Sequence, residues 1–339
     1  MLKDRQSPLE SEVSPSMRLS ELSTLWFEEI ESNGRAGRRT IDGYKDTYRR
    51  VISPALAGLR LNELSTGRLD RFLKNVAADH PATARHSKVV LTGILGLAVR
   101  HDAIHSNPIR EVARIKVATK DVQALSVEDV LKLRAVIRQW QDDSDHRGRP
   151  RASDLLDVVN IFLATGARIG EVLAIRWQDV DLQASPATIT ISGTVVMERE
   201  RDTYRQAKPK TKAGFRTVKL PPFAEQTLRR KYIVEQPADD AMLFPSSTGT
   251  VRSPNNFRRQ WRDARSGSEY EWVTPHVFRK SVATLIDREY SSKDAAAQLG
   301  HSGTAITEKH YIARATESPD LTKALEQFAG HEVVDGPTM

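Results

Sequence analysis

The sequence predicts a mainly α-helical protein with a small antiparallel β-sheet, built as an all-helical N-terminal domain followed by a mixed α+β domain. Three observations carry this reading. Apolar residues recur at helical spacing through most of the chain, beginning with Leu22, Leu25, Trp26 and Ile30. The clearest strand patterns, Thr188–Val196 and Phe215–Leu220, both lie in the second half. A length of 339 residues is long for a single core, so two domains are expected.

Residues 1–16 are rich in Ser, Glu and Pro without apolar periodicity and read as a disordered lead-in. Residues 17–113 form the helical domain. Its second helix follows Arg38-Arg39 with Thr40 as N-cap and presents Ile41, Tyr44, Tyr48 and Val51 on one face. Helices over 65–76 and 82–101 come next, the later one turning Val89, Val90, Ile94, Leu97 and Ala98 inward. Residues 114–124 are charged and non-periodic and read as a linker. The second domain spans 125–330, and 331–339 form a disordered tail. Ser126 and Asp129 have the capping-box spacing, and Gly166 closes a buried helix that starts at Leu155. The two strands flank a basic turn, Lys208-Pro209-Lys210-Thr211-Lys212. Further helices are expected over 222–234, 254–265, 275–288, 293–299 and 304–312.

A formal net charge of +7 favours a polyanionic partner. The absence of cysteine removes disulfides, thiolate nucleophiles and cysteine-held zinc, and suits a reducing compartment. No apolar run approaches the roughly 18–20 residues needed to span a bilayer, and no signal peptide precedes the first helix, so a cytoplasmic protein without membrane contact is expected.

The chemistry concentrates in the second domain. Thr274-Pro275 is a favoured helix start, placing His276 and Arg279 on one face of the first turn, where free N–H groups and the dipole suit a phosphate. Arg168 stands between the Gly166 helix end and a new helix; its fork can bind two phosphate oxygens and never deprotonates, although nearby Glu171 or Asp179 could pair with it instead. A lysine of the basic turn can protonate a leaving oxygen, as arginine cannot. Tyr311 lies in a short polar helix after Leu299-Gly300-His301, where it can be mobile; by residue type alone it reads as packing.

Thr165-Gly166-Ala167-Arg168-Ile169-Gly170-Glu171, His276-x-x-Arg279, Leu299-Gly300-His301-Ser302 and Thr307-x-x-x-Tyr311 together resemble the tyrosine recombinases, the phage integrase family, in order and spacing. The resemblance covers most of the chain and implies a core-binding domain followed by a tyrosine recombinase catalytic domain. It implies that Tyr311 is the nucleophile, leaving a 3′-phosphotyrosyl link and a free 5′-hydroxyl. Arg168 and Arg279 would stabilise the transition state, His276 would help deprotonate the tyrosine, and His301 would donate a hydrogen bond to the phosphate. Lys210-Thr211-x-x-Gly214-x-Arg216-x-Val218 matches the family's lysine pattern except that Gly214 replaces the usual serine, which selects Lys210 but leaves Lys212 open. No cofactor and no metal are implied.

DNA contacts are expected from Arg38, Arg39, Lys45, Arg49, Arg85 and Lys88 in the first domain, and from Lys212, Arg258 and Arg259 in the second. Arg262 and Arg265 extend the last pair into a stripe beside Phe257 and Trp261. In the family the two domains clamp a duplex and a tail helix packs on a neighbouring subunit; for Asp320–Phe328 the sequence leaves docking on its own subunit equally open. The implied partners are double-stranded DNA at core-type attachment sites, a homotetramer acting through a Holliday junction, and an accessory DNA-bending or directionality factor. The implied function is integration or excision of a phage or mobile element. With about 16 residues ahead of the helical domain, too few to fold an arm-binding domain, a simple core-site recombinase or a truncated integrase is expected. A type IB topoisomerase or telomere resolvase shares the cleavage chemistry, and a DNA-binding regulator would require a lost catalytic group. A metal-dependent nuclease is disfavoured because no paired carboxylates accompany the basic motifs.

Overall fold

The computed structural model describes residues 13–34, 36–115, 121–143, 151–198, 201–207 and 214–312. The chain divides near residue 119 into two compact units.

The first unit is helical: α1 (Leu19–Ser32), α2 (Arg38–Thr47), α3 (Ser53–Leu56), α4 (Thr66–Asp79) and α5 (Pro81–Arg100). Gly37, not Thr40, is the N-cap of α2, so Arg38 and Arg39 sit inside its first turn. A five-residue π-helix, Tyr48–Ile52, carries α2 into α3. The buried stripe of α5 runs through Val90, Leu91, Ile94, Leu97 and Ala98, whereas Val89 falls just off it and is exposed. Gly93 lets α1 approach: a Cβ built there would lie 2.2 Å from Cζ2 of Trp26.

The second unit begins with α6 (Val127–Asp142), whose Ser126 and Asp129 form the expected capping box. It continues through α7 (Leu155–Thr165), α8 (Ile169–Val172), β1 (Val180–Asp181), β2 (Thr188–Ile191), β3 (Thr194–Glu198), β4 (Arg201–Gln206), β5 (Arg216–Lys219), α9 (Pro222–Glu235), α10 (Pro254–Arg265), α11 (Pro275–Glu289), α12 (Ser292–Leu299) and α13 (Thr304–His310). The expected strand over 188–196 is broken at Ser192-Gly193 into two strands in different sheets. β2 lies between β1 and β5, antiparallel to both, while β3 pairs with β4. Gly193 makes the break: a Cβ there would sit 2.8 Å from Arg205 Cζ and from the Gln206 carbonyl oxygen. Arg201 to Gln206 carries no apolar alternation, so β4 is held by its partner strand rather than announced by its own pattern. In chain order the basic turn therefore follows β4, not the strand that starts at Thr188.

Helix α7 is apolar on nearly all sides and forms the centre of this unit. Phe162 stacks on Phe278 of α11 with ring centroids 5.7 Å apart, fixing the two helices that carry the candidate residues. Arg265 does not join an exposed stripe on α10. It is buried, donating to the carbonyls of Trp261 (2.9 Å), Tyr270 (2.9 Å) and Glu271, and burial pushes its guanidinium down to about 10. Among the described residues no helix is long and apolar enough to cross a membrane.

Candidate active site

Helix α7 ends where Gly166 adopts a left-handed conformation, φ +61°, with its carbonyl left for a side-chain donor. A larger residue is strained there, because the backbone is left-handed and a Cβ would meet Leu299 Cδ2 at 2.6 Å, so that side chain must shift. Two residues on, Arg168 is the extended N-cap of α8. The Glu171 carboxylate reaches back to it twice, accepting from the backbone N–H at 3.0 Å and from the guanidinium at 2.8 Å. Glu171 also accepts from Arg216 of β5 at 3.2 Å. Burial alone would raise the Glu171 carboxyl, but Arg216 and then Arg168 more than offset it and hold it below the usual carboxylate range.

The Thr274-Pro275 start places Arg279 on the inward face of α11, where it is fully buried. Its Nη1 donates to the Gly166 carbonyl at 2.7 Å and its Nη2 to the Leu299 carbonyl at 2.8 Å. The same Nη2 lies 2.7 Å from Nε2 of His301, while the buried Nε–H has no partner among the described residues. Such an orphan donor costs about 1–3 kcal/mol until an oxygen meets it. Burial, then the neighbouring Arg168, pushes Arg279 down to about 10.

Helix α12 ends at Gly300, again left-handed, and delivers His301 to this cluster. His301 Nδ1 lies 2.6 Å from the hydroxyl of Thr307. Tyr311 is only 8% exposed. Its ring centroid is 5.1 Å from that of His276 and 4.8 Å from that of His301, and the Arg279 guanidinium carbon sits 5.2 Å from it. Both imidazoles are lowered to about 4. Partial burial acts first on each, followed by Lys280, Arg279 and Arg168 around His276 and by Arg279, Arg168 and Arg216 around His301. Three guanidiniums against one carboxylate leave an excess of positive charge around a phenol and two neutral bases. That arrangement can hold one phosphodiester and take a proton from an attacking tyrosine.

The structure thus brings together Arg168, His276, Arg279, His301 and Tyr311, which lie up to 143 positions apart in the chain. Lys210 and Lys212 lie outside the described residues, as does the tail over 320–328. Of the expected DNA contacts, Arg38, Arg39, Arg85 and Arg259 are exposed. Lys45 pairs with Glu31 at 2.6 Å and Arg49 with Asp46 at 2.8 Å. Lys88 donates to the Val112 carbonyl at 2.6 Å, and Arg258 to Asn255 at 3.0 Å.

Three further residues belong to the site: Glu171, Arg216 and Thr307. The sequence offers Glu171 only as a neutralising partner of Arg168. Its link to Arg216, 45 positions away, depends on β5 and is invisible before folding.

A family model described as the phage integrase family matches residues 123–318. An integrase of Streptomyces ambofaciens is 27% identical over 305 residues, covering 82% of this chain and 72% of that protein. A XerC-like tyrosine recombinase of Caldanaerobacter subterraneus is 21% identical over 321 residues, covering 86% of this chain and 78% of that one. Among solved structures, the Tn1549 transposon integrase in complex with a circular intermediate DNA superposes with a TM-score of 0.71 at 18% identity, covering 93% of this chain and all of that one. A lambda integrase tetramer bound to a Holliday junction superposes with a TM-score of 0.65 at 17% identity, over 90% of this chain and 80% of that one.

Proposed function

The chain belongs to the phage integrase family, and we propose that its Tyr311 cuts and rejoins DNA at a phosphodiester held by Arg168 and Arg279. It is a tyrosine site-specific recombinase. The observation that carries the residue assignment is the position of the Tyr311 ring against His276, His301 and Arg279 at once. A phenol kept for packing would not require a buried arginine with an orphan N–H beside it.

Arg168 and Arg279 neutralise the non-bridging oxygens as the phosphorus becomes pentacoordinate, and the unpartnered Nε–H of Arg279 supplies a donor for one of them. His276, neutral above about 4, accepts the phenolic proton. The Tyr311 oxygen bonds to phosphorus, the bond to the 5′-oxygen breaks, and a lysine of the turn, Lys210 ahead of Lys212, protonates the leaving oxygen. The 3′-phosphotyrosyl link keeps the bond energy, so a 5′-hydroxyl from a second duplex reverses each step. Because Tyr311 is nearly buried, it must turn outward to reach a duplex.

The substrates are double-stranded attachment sites, exchanged by a homotetramer through a Holliday junction, with an accessory bending or directionality factor, in the cytoplasm. The DNA complexes of the transposon and lambda integrases support this reading. The helical unit contacts phosphate through Arg38, Arg39 and Arg85, and the catalytic unit through Arg259. The test is a nicked suicide duplex built from the junction between the element and its host sequence. A covalent protein–DNA adduct is expected from the parent and none from Tyr311→Phe; an adduct that survives the substitution refutes the assignment.

A further inference from the structure

Arg279 carries only donors, so the 2.7 Å contact between its Nη2 and His301 Nε2 requires a bare lone pair on Nε2. The ring proton must then sit on Nδ1 and be donated to the Thr307 hydroxyl, 2.6 Å away. Thr307 has no exposed surface. Its backbone carbonyl accepts the N–H of Tyr311 at 2.9 Å and of Ile312 at 3.1 Å. One residue therefore fastens both the imidazole, through its side chain, and the turn that presents the tyrosine, through its backbone.

An imidazole with a bare Nε2 cannot donate to a phosphate oxygen. We propose that Thr307 is a positioning residue of the recombination reaction: its hydroxyl holds His301 by Nδ1 so that Nε2 faces the arginine cluster and takes up one proton when a DNA phosphate enters. This rests on the assignment of the phosphate site to Arg168 and Arg279. The proton comes from solvent, Nδ1–H stays on the Thr307 oxygen, and the imidazolium charge is matched by the phosphodiester charge. The groups facing the ring are Arg279 of α11, Arg168 and Glu171 at α8, Arg216 of β5, and Tyr311. Without phosphate their excess positive charge opposes a second ring proton; with it, the opposition is cancelled.

Valine at position 307 keeps the shape and the backbone acceptor but removes the acceptor of the Nδ1–H, so the ring loses its hold; serine restores the oxygen. The experiment uses the full chain with Thr307→Val and Thr307→Ser. Thermal unfolding checks that each variant folds, and nitrogen NMR of the histidine rings without DNA reads the tautomer. Single-turnover cleavage of the suicide duplex is followed across pH. In the parent, His301 should carry its proton on Nδ1, and duplex affinity at fixed salt should fall as pH rises, because binding takes up a proton. Thr307→Val should cleave about 10- to 100-fold more slowly with a flattened pH dependence, and Thr307→Ser within about threefold of the parent.

The proposal is overturned by a proton on Nε2 in the DNA-free parent, by parental cleavage in Thr307→Val, or by a folded Thr307→Ser as slow as the valine variant. Should Thr307→Val fail to fold, the parental tautomer and the serine variant still decide. A parent that forms no adduct would instead sink the function assigned above, while the DNA-free tautomer would still test the Thr307 hold.

Discussion

Replacing Glu171 with glutamine removes one negative charge from between two guanidiniums while keeping the side chain's shape. The carboxylate is 7% exposed and the Arg216 side chain 8%, so this pair is shielded from water. Removing one partner of a buried pair costs about 3–5 kcal/mol, because the other charge stays behind. The glutamine oxygen still accepts one hydrogen bond, recovering about 1 kcal/mol. Arg168 is 44% exposed and adds little. The expected loss is therefore about 3 kcal/mol, read as a lower midpoint in urea with an unchanged slope. Catalysis should suffer separately. Arg168 loses the group that orients it, and a displacement of about 1 Å in such a residue lowers single-turnover cleavage about 10²-fold. Because the Glu171 carboxyl is depressed in the folded chain, its stabilisation is present above the ordinary carboxylate range and is lost as pH falls through the depressed value. Glu171→Gln should therefore lack that part of the acid dependence. A variant that keeps parental stability, or one that cleaves at the parental rate when fully folded, would refute the reasoning.

Gly166→Ala should destabilise the catalytic unit by about 2–4 kcal/mol, since it combines a left-handed backbone with a 2.6 Å overlap on Leu299; thermal unfolding checks it. Gly93→Ala gains about 1 kcal/mol of helix propensity, yet the 2.2 Å clash with Trp26 should give a net loss in urea unfolding, and net stabilisation would contradict the packing of α1 on α5. In the folded chain His276 and His301 should titrate near 4 by NMR, whereas an unfolded chain protonates near the ordinary value of about 6.5. Folding stability should thus decline as pH falls through that window, and midpoints near the ordinary value would contradict the cationic surroundings. Arg85→Ala should weaken binding of any duplex alike and lower the salt slope by about one unit, a result that base-specific loss would overturn.

Much of the site was legible before folding because its pieces are local. The helix start at Thr274-Pro275 places His276 and Arg279 within one turn, and Gly166 and Gly300 end helices for reasons of backbone geometry alone. Elements set by partners were less legible. β4 has no pattern of its own, and the strand expected through Val196 breaks where Gly193 must pass close to Arg205. Arg265 read as a surface cation but lies buried, capping three carbonyls.

The sequence alone determined the helical plan and the family, and it singled out Arg168, His276, Arg279, His301 and Tyr311 as candidates, because these depend on residue type and short-range spacing. Only the tertiary structure decided how those residues are supported. It set Glu171 between Arg168 and Arg216, drove Arg279 inside with one donor unmet among the described residues, and set the His301 ring against the Thr307 hydroxyl. Those features depend on burial and on groups brought together by folding, where desolvation makes each buried polar group depend on a protein partner.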